Sequence, residues 1–149
     1  MKKLITFVML AIIGVSIIGC KKKSTTPSTS LSVNLAGTTK TFSTATASGS
    51  GAIMQITGYS GSSSATPPYY SITIYNFTGP ATYTVDMHAA SPTVASSYWP
   101  TTDLTDAKVA VSGSVTITSS SSATVSGTFD FTAHDGTTMS SGTFTAKRI

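Results

Sequence analysis

The 149-residue chain has no glutamate, one cysteine (Cys20), one arginine (Arg148) and one tryptophan (Trp99). Each shortage excludes something. A single cysteine rules out an intramolecular disulfide framework. Two histidines, no glutamate and one thiol leave a small inventory for general acid–base work. Charged residues make up only 9% of the chain, so neither high-charge disorder nor an electrostatically recruited partner fits. Repeating Leu/Glu/Lys/Ala patterns are missing, which argues against helical bundles and coiled coils. There is no G-x-S-x-G elbow, no S-x-x-K, no P-loop and no dinucleotide glycine pattern. What fills the space is hydroxyl: 25 Ser and 28 Thr.

The N-terminus reads as an address. Met1-Lys2-Lys3 is basic, and Leu4 to Ile18 is an apolar run broken only by Thr6, Gly14 and Ser16. Fifteen residues fall about five short of what a helix needs to cross ~30 Å of hydrocarbon. A basic start, a short apolar run and a small residue form a secretory signal. Ile17-Ile18-Gly19-Cys20 resembles a bacterial lipobox, in which the cysteine takes a diacylglycerol as a thioether and, after cleavage, an N-terminal acyl group such as palmitate. Residues 1–19 are therefore expected to be a lipoprotein signal peptide and Cys20 the lipidation site. One acyl chain anchors marginally, whereas two or three anchor durably.

Residues 20–30 form the lipidated cysteine and its tether. Lys21, Lys22 and Lys23 follow the anchor, where each lysine near anionic headgroups is worth ~1 kcal/mol. By resemblance to known lipoproteins, an Asp after the cysteine retains a protein at the inner membrane. Lys21 instead favours the outer membrane, and the lysine triplet favours a periplasm-facing orientation over the cell surface. From Leu31 onward four cations oppose five aspartates, net −1, so the sequence pI of 9.3 belongs to the targeting segment. No nucleic-acid partner follows from it.

Residues 31–149 read as one all-β domain. Alternation with period two marks Leu31 to Leu35, Ala52 to Tyr59, Tyr69 to Phe77, Ala81 to His88, Lys108 to Thr118, Val125 to Ala133 and Thr137 to Ala146, with a weaker strand from Lys40 to Thr46. About eight strands in meander order predict an antiparallel two-sheet β-sandwich, with a small closed β-barrel as the alternative. Ala89 to Thr105 shows no period and reads as a long loop, with a short helical turn near Asp103–Ala107.

The body also resembles a family of small lipoproteins from Bacteroidota-type bacteria, classed as a domain of unknown function. The stretches that carry it are LSVNLAGTTKTF (31–42), GPATYTVD (79–86), VSGTFDFTA (125–133) and GTFTAKR (142–148). The resemblance implies an all-β fold and no established activity. The family often has acidic residues after the cysteine, where this chain has Lys21–Lys23.

Register follows from the turns. A two-residue turn at Asp135-Gly136 sets Phe129 opposite Gly142, Gly127 opposite Phe144 and Val125 opposite Ala146. In the preceding hairpin, an odd loop or a bulge sets Gly113 opposite Phe129 and Val115 opposite Gly127. Val109, Val111, Gly113, Val115 and Ile117 share one face. Phe129, Phe131 and Phe144 are expected to be buried together.

Candidate sites are few. Asp130 and His134 are ~13 Å apart along a strand, too far for joint ligation. Asp86 and His88 need two more ligands. Asp103 and Asp106 flank a loop and suit either weak calcium binding or ordinary turn chemistry. No cofactor is expected beyond the lipid on Cys20, and no catalytic set emerges. The aromatics remain: Tyr98 and Trp99 in the long loop, and Tyr69 and Tyr70 after Pro67-Pro68. They suit sugar stacking or a protein anchor, unless Trp99 folds back as a plug over the end of the domain. Two functions follow. One is a lipid-anchored, non-catalytic envelope lipoprotein with a binding or structural role. The other is a glycan-binding accessory lipoprotein using the Trp99 loop.

Overall fold

The computed structural model describes residues 28–85 and 93–149. Cys20, the lipobox and Lys21–Lys23 lie outside the described residues, as do Asp86 and His88. Ten strands run through the described residues: β1 (Ser30–Leu35), β2 (Thr38–Phe42), β3 (Thr44–Ser50), β4 (Ile53–Tyr59), β5 (Tyr69–Ile74), β6 (Thr82–Thr84), β7 (Val94–Trp99), β8 (Lys108–Ser120), β9 (Thr124–Ala133) and β10 (Thr138–Arg148). A 3-10 turn, η1 (Leu104–Asp106), precedes β8.

The fold is all-β, and it is the closed barrel rather than the sandwich. Seven strands form a ring in the order β10-β3-β4-β5-β7-β8-β9, with β9 returning to β10. Two short seams close it. One is parallel, Lys147 with Thr46 and Arg148 with Ala47. The other is antiparallel, Ser97 with Val109 and Tyr98 with Lys108. A sandwich would have left those edges open. Closure follows from length: β8 has 13 residues and β10 has 11, so each outruns its neighbour. The rest of the β10 edge takes the β1–β2 hairpin, and the rest of the β8 edge takes β6. The ring itself runs in chain order, as a meander does. The pairing of β1 with β10 joins the two ends of the domain and departs from that order.

Alternation fills the interior. Leu31 and Val33 of β1, Met54 and Ile56 of β4, Tyr70, Ile72 and Ile74 of β5, Val115 and Ile117 of β8, and Val125, Phe129 and Phe131 of β9 all belong to one core. Burying each such side chain contributes about 1.5–3 kcal/mol. Leu31, the second residue of β1, lies so close to Gly58 that a Cβ there would sit 2.8 Å from its own Cβ. The first core residue after the tether is thus seated on the fourth strand.

The last hairpin keeps most of its expected register. Gly142 faces Phe129, Phe144 faces Gly127 and Ala146 faces Val125. Its turn differs: Ala133 and Thr137 close a three-residue loop, His134-Asp135-Gly136, with Gly136 at φ 81°. The extra residue is taken up by a bulge before Gly142, where Ser141 adopts φ 50° and donates its N–H to Asp130 Oδ1 at 2.7 Å. The expected β8–β9 register is two residues off. Val115 faces Phe129, Gly113 faces Phe131 and Ile117 faces Gly127. Ser121 and Thr124 close a tighter loop than expected, and a bulge lies between Ile117 and Ser119. An even shift preserves the faces, so Phe129, Phe131 and Phe144 are buried as expected, 2%, 3% and 4% exposed. A second bulge near Val111 rotates the start of β8, so Ala110 points inward and Val109 outward, against the expected shared face.

Candidate functional site

The long loop expected over Ala89–Thr105 contains a strand. Val94 to Trp99 pairs with β5 along its whole length. The inward positions are Val94, Ser96 and Tyr98, so the apolar period is interrupted by a serine. Ser96 is nonetheless 3% exposed, and its hydroxyl donates to Tyr70 Oη at 3.1 Å. The Tyr70 hydroxyl in turn reaches Met139 Sδ at 3.4 Å. Burial raises the Tyr70 phenol far above its ordinary value, partly opposed by the Ser96 hydrogen bond.

The four singled-out aromatics occupy two neighbouring strands and separate onto two faces. Tyr69 pairs with Trp99, and Tyr70 pairs with Tyr98. Tyr70 is 0% exposed and packs 5.0 Å from Phe129, which removes it as a ligand contact. Tyr98 is half-buried, stacked on Tyr70 at 6.4 Å and edge-on to Phe42 at 6.3 Å. Desolvation raises its phenol as well. These two belong to the core and its margin.

Tyr69 and Trp99 stand on the outer face, half-buried, their rings stacked at 5.9 Å and 18°. The indole Nε1–H donates to Ser97 Oγ at 2.9 Å. Trp99 is therefore not a plug: it ends a strand and points away from the core. The row extends further than the sequence indicated, because Tyr59 faces Tyr69 across the β4–β5 ladder. Tyr59 closes β4 on the outward parity of Gln55 and Thr57, the one signal that foreshadows its place.

Below this row lies a row of hydroxyls, Thr57, Ser71 and Ser97, aligned across the same three strands. Gln55 Nε2 donates to Ser71 Oγ at 3.4 Å. At the far end of the face, Ser48, Gly49, Ser50, Ile53 and Gln55 line a shallow depression of about 330 Å³. None of β3, β4, β5 and β7 carries a charged residue.

The acidic candidates serve local structure. Asp103 caps η1, accepting the Thr105 N–H at 2.9 Å and its hydroxyl at 2.8 Å, and these bonds lower its carboxyl below the ordinary range. Asp106 accepts from Thr101 Oγ1 at 2.7 Å. Asp135 pairs with Lys108 Nζ at 2.7 Å. That bond, and then the Thr137 N–H, hold its carboxyl well below the usual carboxylate range. Among the described residues no three His, Cys, Asp or Glu side chains converge as metal ligands. Nor is any helix among them long and apolar enough to cross a membrane.

Comparison with family models, with curated proteins and with solved structures finds no match for this chain.

Proposed function

We propose that this protein is a lipid-anchored, non-catalytic lipoprotein of the bacterial envelope with a binding role, held at the outer membrane and facing the periplasm. The observation that carries the reading is Ile17-Ile18-Gly19-Cys20, with the only cysteine of the chain placed directly after a lysine-led apolar run. The first strand begins at Ser30, so the ten residues Lys21–Ser30 hold the domain within roughly 33 Å of the anchor. A non-catalytic role is supported by what the described carboxylates do. Asp103 caps a turn, Asp106 holds Thr101, Asp130 holds the Ser141 bulge and Asp135 pairs with Lys108.

Lipidation is tested by Cys20→Ser. The variant should escape lipid-dependent processing and leave the membrane fraction. If it still partitions with membranes once the signal is cut, the anchor assignment is wrong. The stacked Tyr69–Trp99 pair favours a second reading within the first, in which the bound partner is a glycan.

A further inference from the structure

We infer that the outer face of β3, β4, β5 and β7 is a binding surface for an uncharged polysaccharide chain. The inference deepens the binding role proposed above and does not depend on the lipid anchor.

Three features of this face point the same way. The first is the aromatic row Tyr59–Tyr69–Trp99, half-buried and directed away from the core. A pyranose offers an apolar C–H face ringed by hydroxyls, which suits an aromatic side chain flanked by hydroxyl groups. Tyr69 and Trp99 are positioned before any ligand arrives, because each is fixed on a paired strand and stacked on the other. Little ordering cost then falls on binding.

The second feature is the hydroxyl ladder beside that row. Thr57, Ser71 and Ser97 lie in register, each able to donate and to accept, at the ~4.8 Å spacing of neighbouring strands. The four strands, six or seven residues long, give a face of roughly 14 Å by 20–23 Å, enough for several sugar rings. The Ser48–Gln55 depression lies at the opposite end from the aromatics.

The third feature selects the ligand. The strands β3, β4, β5 and β7 carry no lysine, arginine or aspartate, and Lys147 of β10 stands outward beside Thr46 at the edge of this face. A uronate, a sulfated glycan or an anionic headgroup would find one cation, Lys147, at the edge of the face and none on its four strands. An unpaired charge on the ligand would be desolvated against neutral hydroxyls. Uncharged hexose or pentose polymers match, and their binding should not respond to salt.

Trp99 is the only tryptophan of the chain, so its emission reports on this face directly. Purified full-length protein in detergent is titrated with mixed-linkage β-glucan, galactomannan, amylopectin and, as the acidic counterpart, alginate. At least one neutral polymer should shift Trp99 emission, equally at low and high salt, and alginate should not. In affinity electrophoresis with that polymer, Trp99→Ala and Tyr69→Ala should each weaken retardation at least tenfold. Trp99→Phe should retain most of it, and Tyr98→Phe, on the inner face, should leave it unchanged. Thermal melts of every variant verify that the barrel is intact. The inference is overturned if no neutral polymer binds, if binding falls with salt, or if the outer-face variants bind like wild type. Each of these results leaves the Cys20→Ser outcome standing on its own.

Discussion

Gly142→Ala isolates the contact on which the C-terminal hairpin is built. A Cβ at Gly142 would overlap the Phe129 ring at Cε2, Cδ2 and Cζ. The ring cannot withdraw easily. Its centroid lies 5.0 Å from Tyr70, 5.6 Å from Phe131 and 6.4 Å from Phe144, and the residue is 2% exposed. Gly142 has an ordinary negative-side backbone, unlike Gly113 at φ 116°, so alanine brings no dihedral strain and the clash stands alone. In an open strand position glycine-to-alanine would stabilise by about 0.5–1 kcal/mol. Here overpacking should instead cost about 1–3 kcal/mol, so the sign of the change is diagnostic.

The companion variant is Phe129→Leu. Leucine lacks the Cε2 and Cζ atoms that meet the new methyl group. Alone it should cost about 2 kcal/mol, well short of the ~3–5 kcal/mol expected for Phe129→Ala. Combined with Gly142→Ala, the two should be non-additive by about 1 kcal/mol or more, beyond the ~0.3–0.5 kcal/mol error of independent sites. Urea unfolding followed by circular dichroism measures all three variants against wild type, with unchanged m-values as the control. A neutral or stabilised Gly142→Ala, or an additive double variant, would refute the ring-over-glycine packing.

Two predictions concern titration. The Tyr70 phenol is raised by burial, so its folded value exceeds the unfolded one: the stability it secures is whole below about pH 10 and drains away as pH rises beyond it. Tyr70→Phe should flatten that alkaline limb in denaturation measured across pH, at the expense of the Ser96 bond near neutrality, and an unaltered limb would count against the buried phenol. The Asp135 carboxyl is depressed by Lys108, so its contribution is present at neutral pH and is lost only as pH falls below the unfolded value of about 4. In an NMR acid titration Lys108→Ala should move the Asp135 midpoint upward; an unmoved midpoint would show that the ion pair is not formed in solution.

Much of the fold was legible because alternation reports one-sided burial directly. Val125 to Ala133 alternates without interruption, as does Gly142 to Lys147 beyond the Ser141 bulge, and both stretches are strand with the expected faces. Bulges were not legible. The one near Val111 turns Val109 outward, yet Val109 and Val111 read as one apolar face, since a one-residue irregularity leaves no mark on composition. Nor was the tight Ser121–Thr124 turn, because four consecutive serines offer several equivalent loop lengths. Only pairing on both flanks selects among them. Closure was hidden for a different reason: both seams are two residue pairs long, and a sheet edge that meets its partner over two residues has the same local pattern as an edge left free.

The aromatic row shows where a site can escape a sequence reading even when its residues are noticed. Trp99 and Tyr69 stand out in the sequence as aromatics suited to sugar stacking or a protein anchor, yet β7 shows no apolar period there, because Ser96 occupies an inward position. The Tyr70 hydroxyl removes that objection by accepting from Ser96 in the core. Once β7 is a strand, parity alone sorts the four aromatics: odd positions 69 and 99 outward, even positions 70 and 98 inward. The same parity brings in Tyr59, forty residues before Trp99 in the chain and two strands away in the sheet. A buried serine–tyrosine pair thus governs the outer surface, because without it the strand that aligns Trp99 with Tyr69 and Tyr59 would have an unsatisfied hydroxyl in its core.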